Sequence, residues 1–324
     1  MSGKTYRMSR EFITRRLHSL FGLWIVLFLM EHLFTNSQAA LLLGENGKGF
    51  VKAVNFIKGL PFLPVVEVVL IGVPILFHMV WGVKYLLSSK SNAFSKSKAK
   101  PTLRYGRNRA YSWQRIASWV LLVGLILHVG FMRFYRDPVK AQVGNKHAFF
   151  IKISMDKGLY AVADKLDARL WSKASIETYG KSLLSSHEEI SANIEGDHYS
   201  ATENLVEEER LDNNYKWAVF EALSHRRIKS GQVVAETKDF GTAELLMVRD
   251  TFKSVFNCML YTVFVLAAVF HGFNGLWTFL ITWGVVLKMR SQSRAVNACI
   301  ALMFVVGFLG LSAIWGTYFF NLKH

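Results

Sequence analysis

The sequence predicts an all-α membrane protein in which five transmembrane helices form a bundle, with an inserted extramembrane domain between the third and fourth helices. About half of the 324 residues are apolar, and five apolar runs reach the ~20 residues that a helix needs to cross a bilayer. These runs lack the alternation of barrel strands, and only helices or closed barrels satisfy the backbone in lipid. The predicted spans are 17–40, 62–87, 113–134, 254–286 and 296–320.

The segment 137–250 is predicted to be an inserted domain, because ordinary connections between helices are far shorter. It separates residues 1–136, which hold helices one to three, from residues 251–324, which hold helices four and five. Its residues indicate no function. Its histidines lack metal-ligand spacing, and they are His147, His187, His198 and His225.

Local patterns inside this segment predict two helices and one strand. The helices are expected over Leu183 to Leu211 and Gly241 to Phe252, and the second one is capped by Asp239 or Thr242. The strand is expected at Gln232–Ala235.

The net charge of +16 raises the question of nucleic-acid binding, but the distribution of charge argues against it. Outside 134–250 there are four acids and 23 Lys or Arg residues, whereas 134–250 holds 19 acids and 16 bases. The basic excess therefore flanks the spans, as membrane topology requires, and we expect lipid and no nucleic acid as the surroundings.

Basic residues cluster in the amino-terminal tail, in the second-to-third connection and before the last span. The positive-inside rule places these segments on the cytoplasmic side of the membrane. The amino terminus is then cytoplasmic, and the carboxyl terminus and 137–250 lie outside. Cys258 and Cys299 both fall within spans, so no disulfide is expected.

Four of the five spans carry one histidine deep inside: His32, His78, His128 and His271. An ionisable side chain in hydrocarbon costs a few kcal/mol unless something compensates it. Paired imidazoles are axial ligands of haem iron, so four histidines predict two haems. The chain lacks Cys-x-x-Cys-His, so the haems would be non-covalent haem b. Taken singly, a histidine in a span is more often a hydrogen-bonded packing residue, but four spans that contribute one histidine each favour haem.

Depth along the spans predicts how the histidines pair. At a rise of ~1.5 Å per residue, His32 lies about 24 Å beyond Arg16, and His128 lies about 20 Å beyond Arg115, both towards the outer face. His78 lies near the inner face. It therefore pairs with His271, an assignment that rests partly on exclusion.

Short motifs in and beside the first four predicted spans carry a family resemblance, and their order and spacing match across all five spans. They are Arg15-Arg16-Leu17-His18-Ser19, Glu31-His32-Leu33, Leu60-Pro61-Phe62 with Glu67, Pro74-x-x-x-His78-x-x-x-Gly82, Trp113-Gln114-Arg115 and His271-x-x-Asn274-Gly275-Leu276-Trp277. With these motifs the chain resembles the diheme cytochrome b membrane-anchor subunit of succinate:quinone oxidoreductases, the succinate dehydrogenases and fumarate reductases, of menaquinone type. The resemblance covers roughly 8–134 and 252–320.

The resemblance implies a subunit of an oxidoreductase complex in a bacterial cytoplasmic (inner) membrane. A flavoprotein subunit would carry the dicarboxylate site, and an iron–sulfur subunit would pass electrons to this chain. The inner haem, on His78 and His271, would receive them, and the outer haem, on His32 and His128, would deliver them to a quinone, menaquinone. A fumarate reductase anchor and a haem-free structural anchor stay open as alternatives, as does a higher oligomer of the complex. A small transporter is disfavoured, because no inverted repeat is evident.

Six further residues are candidates for proton transfer or for contacts with the haems, and each has a second, structural interpretation. Glu67 would transfer protons to quinone, or it is an interfacial acid in contact with water. Arg16, His18 and Arg115 would pair with haem propionates, or they anchor the spans at the inner boundary. Ser19 and Asn274 would orient ligands or propionates, or they serve polar packing.

Overall fold

The structure is a computed structural model that describes residues 9–40, 47–88, 106–194, 203–225 and 227–320. Among these residues, five helices are long and apolar enough to cross a membrane. They are Arg10–Ser37, Leu63–Ser88, Arg109–Tyr135, Val255–Thr282 and Met289–Phe320. Little of their apolar surface is buried inside the protein, and large side chains such as Phe304 (70% exposed) point outward. The predicted five-helix membrane fold is confirmed.

The chain divides into two compact units. The bundle unit contains Met1–Ser37, Gly59–Val129 and Met259–Ile314. The sheet unit contains Gln38–Lys58, Gly130–Cys258 and Trp315–His324. The predicted insert therefore lies in the sheet unit, together with shorter segments that flank the spans.

The helices of the five spans are interrupted by π-helical turns. The elements are α1 (Arg10–Ser37), α3 (Leu63–Val66), a π turn (Glu67–Gly72), α4 (Val73–Ser88), α5 (Gly106–Val129), a π turn (Gly130–Tyr135), α10 (Val255–Thr282), α11 (Met289–Leu311), a π turn (Ser312–Gly316) and α12 (Thr317–Phe320). In the bundle unit α1 packs against α4 and α11. Gly310 of α11 allows close packing against α1 and α10, because a Cβ there would lie 3.2 Å from Leu33 Cδ1 of α1 and 2.6 Å from Val265 Cγ1 of α10.

The sheet unit is built on four antiparallel strands in the order β1-β2-β4-β3. Its elements are α2 (Lys48–Lys58), β1 (Val139–Val143), β2 (Lys146–Ser154), α6 (Leu159–Lys165), β3 (Arg169–Trp171), α7 (Lys173–Ile194), α8 (Glu203–Ser224), β4 (Gln232–Thr237) and α9 (Phe240–Phe252). Side chains alternate along β2, so Phe150 packs in a core with α8, whereas Ile151 packs in a core with α9. Both faces of the sheet are therefore buried. The strand at 232–235 was predicted, and the other three were not.

The helix predicted over Leu183 to Leu211 is wrong as one element. Residues 195–202 of it lie outside the described residues, and α7 and α8 on either side pack against each other. A Cβ on Gly180 would lie 2.5 Å from the Phe220 ring. Forty residues of continuous helix would instead separate these positions by about 60 Å.

Helix α9 begins at Phe240, one residue before its predicted start. Its cap is Asp239, one of the two predicted candidates, whose carboxylate accepts a hydrogen bond from the Thr242 N–H at 2.9 Å. The same residue accepts a bond from Asn55 of α2 at 2.7 Å, and Asn55 in turn accepts one from the Gly241 N–H at 2.7 Å. This shared cap fixes α2 against the start of α9, because it satisfies backbone donors that a helix terminus leaves without partners.

A cluster of opposite charges lies inside the sheet unit. Arg249 donates to both carboxylate oxygens of Asp156 at 2.7 Å, and Arg136 donates to Asp250 at 2.7 Å. Lys253 Nζ lies 2.7 Å from Asp250 and 3.5 Å from Asp156. Burial alone raises the pKa of Asp156, but the hydrogen bond and charge of Arg249, together with Lys253, hold that pKa below its usual value.

Candidate functional site

The four predicted ligand histidines come together in two pairs inside the bundle unit. The ring centroids of His32 on α1 and His128 on α5 are 5.9 Å apart, with ring planes at 77°. Those of His78 on α4 and His271 on α10 are 6.1 Å apart, with ring planes at 84°. These are the two pairings that depth along the spans predicts.

The spacing of the paired rings fits a metal held between them. An iron bound to two imidazole nitrogens at about 2 Å each, as in other histidine–metal bonds, separates the two ring centroids by roughly 6 Å. Rings in direct stacking contact lie closer, as His18 and His78 do at 3.9 Å. The residues present therefore fit bis-histidine haem, and the assignment of each ligand stays a prediction.

In three of the four histidines Nδ1 faces a neighbouring polar group on another helix. Nδ1 of His78 lies 3.0 Å from the backbone oxygen of His18, and Nδ1 of His128 lies 3.2 Å from the Tyr261 hydroxyl. Nδ1 of His271 lies 3.4 Å from Ser118 Oγ. A metal-binding histidine uses its second ring nitrogen in this way, which fixes the tautomer and leaves Nε2 for the metal.

His32 differs, since its nearest polar neighbour is on its own helix. Nδ1 of His32 lies 3.5 Å from Asn36 Nδ2, one helical turn further along α1. That amide donates to the His32 backbone oxygen at 2.8 Å. Of the four rings, His32 has the weakest Nδ1 contact among those the structure describes.

His18 belongs to the same region as the His78–His271 pair. Its ring stacks on that of His78 with an interplanar angle of 10°, and the 3.9 Å separation leaves no room for an iron between them. Nδ1 of His18 is buried and has no hydrogen-bond partner among the described residues.

Two glycines allow this close approach of α1 and α4. A Cβ on Gly22, four residues after His18, would lie 3.0 Å from His78 Cε1, and a Cβ on Gly82, four residues after His78, would lie 3.5 Å from His18 Cε1. Each histidine therefore faces the glycine that follows the other histidine by one turn.

Sequence reasoning missed Tyr261, Ser118 and Gln114 as site residues. Gln114 donates to the His271 backbone oxygen at 3.1 Å and accepts from Asn274 at 2.8 Å. Gln114 and Ser118 are four residues apart on α5, so they share a helix face. A search for polar side chains on one face of an apolar span could have found both, whereas Tyr261 gives no such signal.

The remaining predicted residues lie around the pairs. Asn274 accepts from the Trp277 indole at 3.1 Å, so its contacts are to protein groups near His271. Arg16 donates to the Thr282 backbone oxygen and lies over the Trp283 ring at 5.2 Å. The Arg115 guanidinium lies over the Tyr111 ring at 6.0 Å, and Ser19 is half-buried.

Glu67 is half-buried at the start of the π turn Glu67–Gly72 in the second span. A regular α-helix would bring Glu67 and His78 to one face, because eleven residues make about three turns of 3.6. The π turn holds more residues per turn, so a shared face does not follow from the sequence spacing.

These features define a class: a helical membrane protein that carries two pairs of facing histidines suited to a metal. The chain is similar to the succinate dehydrogenase cytochrome b558 subunit of Bacillus subtilis (strain 168), with 24% identity over 308 residues that cover 95% of this chain and 97% of the relative. The predicted resemblance to cytochrome b subunits of succinate dehydrogenases is thereby confirmed. No protein-family model matches the sequence, and no solved structure matches it.

Proposed function

We propose that this chain is the membrane cytochrome b subunit of a bacterial respiratory succinate dehydrogenase. The five apolar helices support a membrane location, and the similarity over nearly the whole of both chains supports the class of subunit. A flavoprotein subunit and an iron–sulfur subunit would be its partners, and menaquinone would accept the electrons. The basic segments support a cytoplasmic amino terminus, with the carboxyl terminus and 137–250 outside.

The observation that carries the proposal is the ~6 Å spacing within both histidine pairs. His32 and His128 would hold the outer haem b, and His78 and His271 the inner one. Bound haem iron supplies a reversible one-electron carrier. The bundle supplies neutral ligands from separate helices, and its apolar surroundings exclude water from them.

Groups around the pairs would hold the ligands and the propionates. Three oxygens lie within hydrogen-bond reach of a ligand Nδ1, and each would accept a hydrogen bond from the Nδ1–H group. They are the His18 carbonyl, the Tyr261 hydroxyl and Ser118 Oγ. The buried His18 Nδ1, which has no partner in the described part of the chain, supports a role for His18 towards a propionate. Arg16, Ser19 and Arg115 are further propionate candidates, whereas Asn274 would act through Gln114 on the His271 segment.

Glu67 is the proposed proton-transfer group for quinone. Its support is chemical, since it is a half-buried acid in a mostly apolar span, at the first residue of a π turn. Such turns are frequent at functional sites.

Haem stoichiometry tests the proposal. Membranes that express the complex should show b-type bands in reduced-minus-oxidised spectra, with two haems per copy of this chain. His78→Ala and His128→Ala should each remove one haem, and the two variants should lose different spectral components. A chain that stays colourless with adequate haem supply would instead be a haem-free anchor.

A further inference from the structure

Tyr261 connects α10 to the His32–His128 pair. Its hydroxyl lies 3.2 Å from His128 Nδ1, and the two ring centroids are 5.7 Å apart with planes at 77°. Phe264, one turn further along α10, places its ring 5.7 Å from His128. Phe264 fits there because Gly124 has no side chain, and a Cβ on Gly124 would lie 2.4 Å from the Phe264 ring. His128 is therefore held from one side by two residues of α10.

The direction of the Tyr261–His128 hydrogen bond follows from the tautomer. If Nε2 of His128 binds iron, the ring proton is on Nδ1, and an Nδ1–H can only donate. The Tyr261 oxygen is then the acceptor. A bond of this kind fixes the rotation of a ligand ring and raises its basicity, and a more basic ligand stabilises the ferric state.

The other two cross-helix contacts differ in kind. The partner of His78 is a backbone carbonyl, which no side-chain substitution removes. The partner of His271 is a serine hydroxyl at the longer distance of 3.4 Å. A different side chain therefore supports a ligand in each proposed haem site: Tyr261 supports His128, and Ser118 supports His271.

We propose that Tyr261 is a positioning residue for His128, and that its hydroxyl lowers the midpoint potential of the haem held by His32 and His128. This inference rests on the proposed function, since it requires haem on that pair. It adds a residue that the sequence motifs do not contain and assigns it to one haem of the two.

The test is a redox titration of Tyr261→Phe in the intact complex. Phenylalanine keeps the ring and removes only the acceptor, so both haems should remain. One of the two midpoint potentials should rise, and one low-spin ferric EPR signal should shift. The haem that responds should be the one that His128→Ala removes.

Two variants serve as controls. Tyr318→Phe removes the hydroxyl of a tyrosine whose ring packs on Trp315 and Phe319, and it should leave both potentials unchanged. Ser118→Ala should affect only the other haem, which belongs to His271.

Unchanged potentials in Tyr261→Phe would overturn the inference, and so would a shift confined to the haem that Ser118→Ala affects. Loss of both haems would indicate a general packing role and would also contradict it. Selective loss of the haem that depends on His128 would support the positioning role of Tyr261 and contradict the expectation that phenylalanine retains both haems. Failure of the proposed function is a separate result, because the unmodified complex would then contain no haem.

Discussion

The bundle unit and the sheet unit bury polar groups in different ways. In the bundle, the interior groups are neutral rings that contact neutral partners, as His128 contacts Tyr261 and His271 contacts Ser118. In the sheet unit, several buried groups are charged and face opposite charges, as Arg249 faces Asp156. The difference shows what each environment tolerates, because an unmatched charge in an apolar interior is far more costly than a hydrogen-bonded neutral group.

The largest expected effect concerns the pairing in the bundle. The double variant His78→Ala with His271→Ala should lose the same single haem as His78→Ala alone, since both side chains would serve one iron. The double variant His78→Ala with His128→Ala should lose both haems. Pyridine haemochrome analysis of the purified complex measures the difference, which is one haem per chain against none.

The pairing would be wrong if His78→Ala with His271→Ala removed both haems while His78→Ala with His128→Ala removed one. His225→Ala, in the sheet unit, is a matched control that should leave the haem content unchanged.

The next effect concerns the charge cluster of the sheet unit. Asp250→Asn removes one of two acids that face three bases, Arg136, Arg249 and Lys253. Breaking a buried pair in this way costs roughly 3–5 kcal/mol, because a charge is left uncompensated. Hydrogen exchange of the amides in β2 and β4 should report a free energy of opening that is lower by that amount. Both haems should be retained.

Asp212→Asn is the control for this prediction. Asp212 pairs with Lys146 and Lys216 at 2.8 Å on an exposed surface. The hydrogen bonds from these lysines lower the pKa of Asp212 to about 2, but exposed pairs contribute only about 0–1 kcal/mol. Equal destabilisation by Asp250→Asn and Asp212→Asn would contradict the expectation that the buried pair contributes more to stability than the exposed one.

How much of each unit the sequence predicts depends on how far apart along the chain the interacting residues are. The five spans were predictable because the length of an apolar run is a local property, and one histidine per span marks a candidate ligand. Strand β2 was missed because its continuous apolar run, Ala148 to Ile151, is too short to distinguish a strand from a buried helix. Tyr261 was missed because its contact with His128 joins positions 133 residues apart, which spacing along one helix cannot show.

Glu244 in the sheet unit is an exception to charge matching. Burial, and then the charge of Asp137, raise the pKa of Glu244 from 4.5 to about 7, although Lys58, Arg133 and Arg136 oppose the shift. In the unfolded chain this carboxyl ionises near its ordinary value, so the contribution of Glu244 to stability is fully present below pH 4.5 and is lost as pH rises from 4.5 to about 7. The loss amounts to about 3 kcal/mol at 1.36 kcal/mol per pKa unit.

Glu244→Gln should remove this dependence, because glutamine does not ionise. Hydrogen exchange of α9 amides between pH 4.5 and pH 8, corrected for the intrinsic rate, measures it. The variant should match the unmodified protein at the acidic end and be more stable above pH 7. Parallel profiles for the two proteins would show that Glu244 does not titrate in this range.

The smallest expected effect lies where α1 approaches α4. In Gly22→Ala the new methyl group would lie 3.0 Å from Cε1 and 3.3 Å from Nδ1 of His78, so the ring must shift by a few tenths of an ångström. Both haems should remain bound, and the haem held by His78 should show a small change in its absorption band or midpoint potential. Gly307→Ala is the matched control, since its methyl group would meet Val269 at an ordinary 3.7 Å. Identical spectra for both glycine variants would show that the His78 ring has room to move. A change confined to the His78 haem would show that the ligands in the bundle depend on close packing, as the buried charges in the sheet unit depend on their partners.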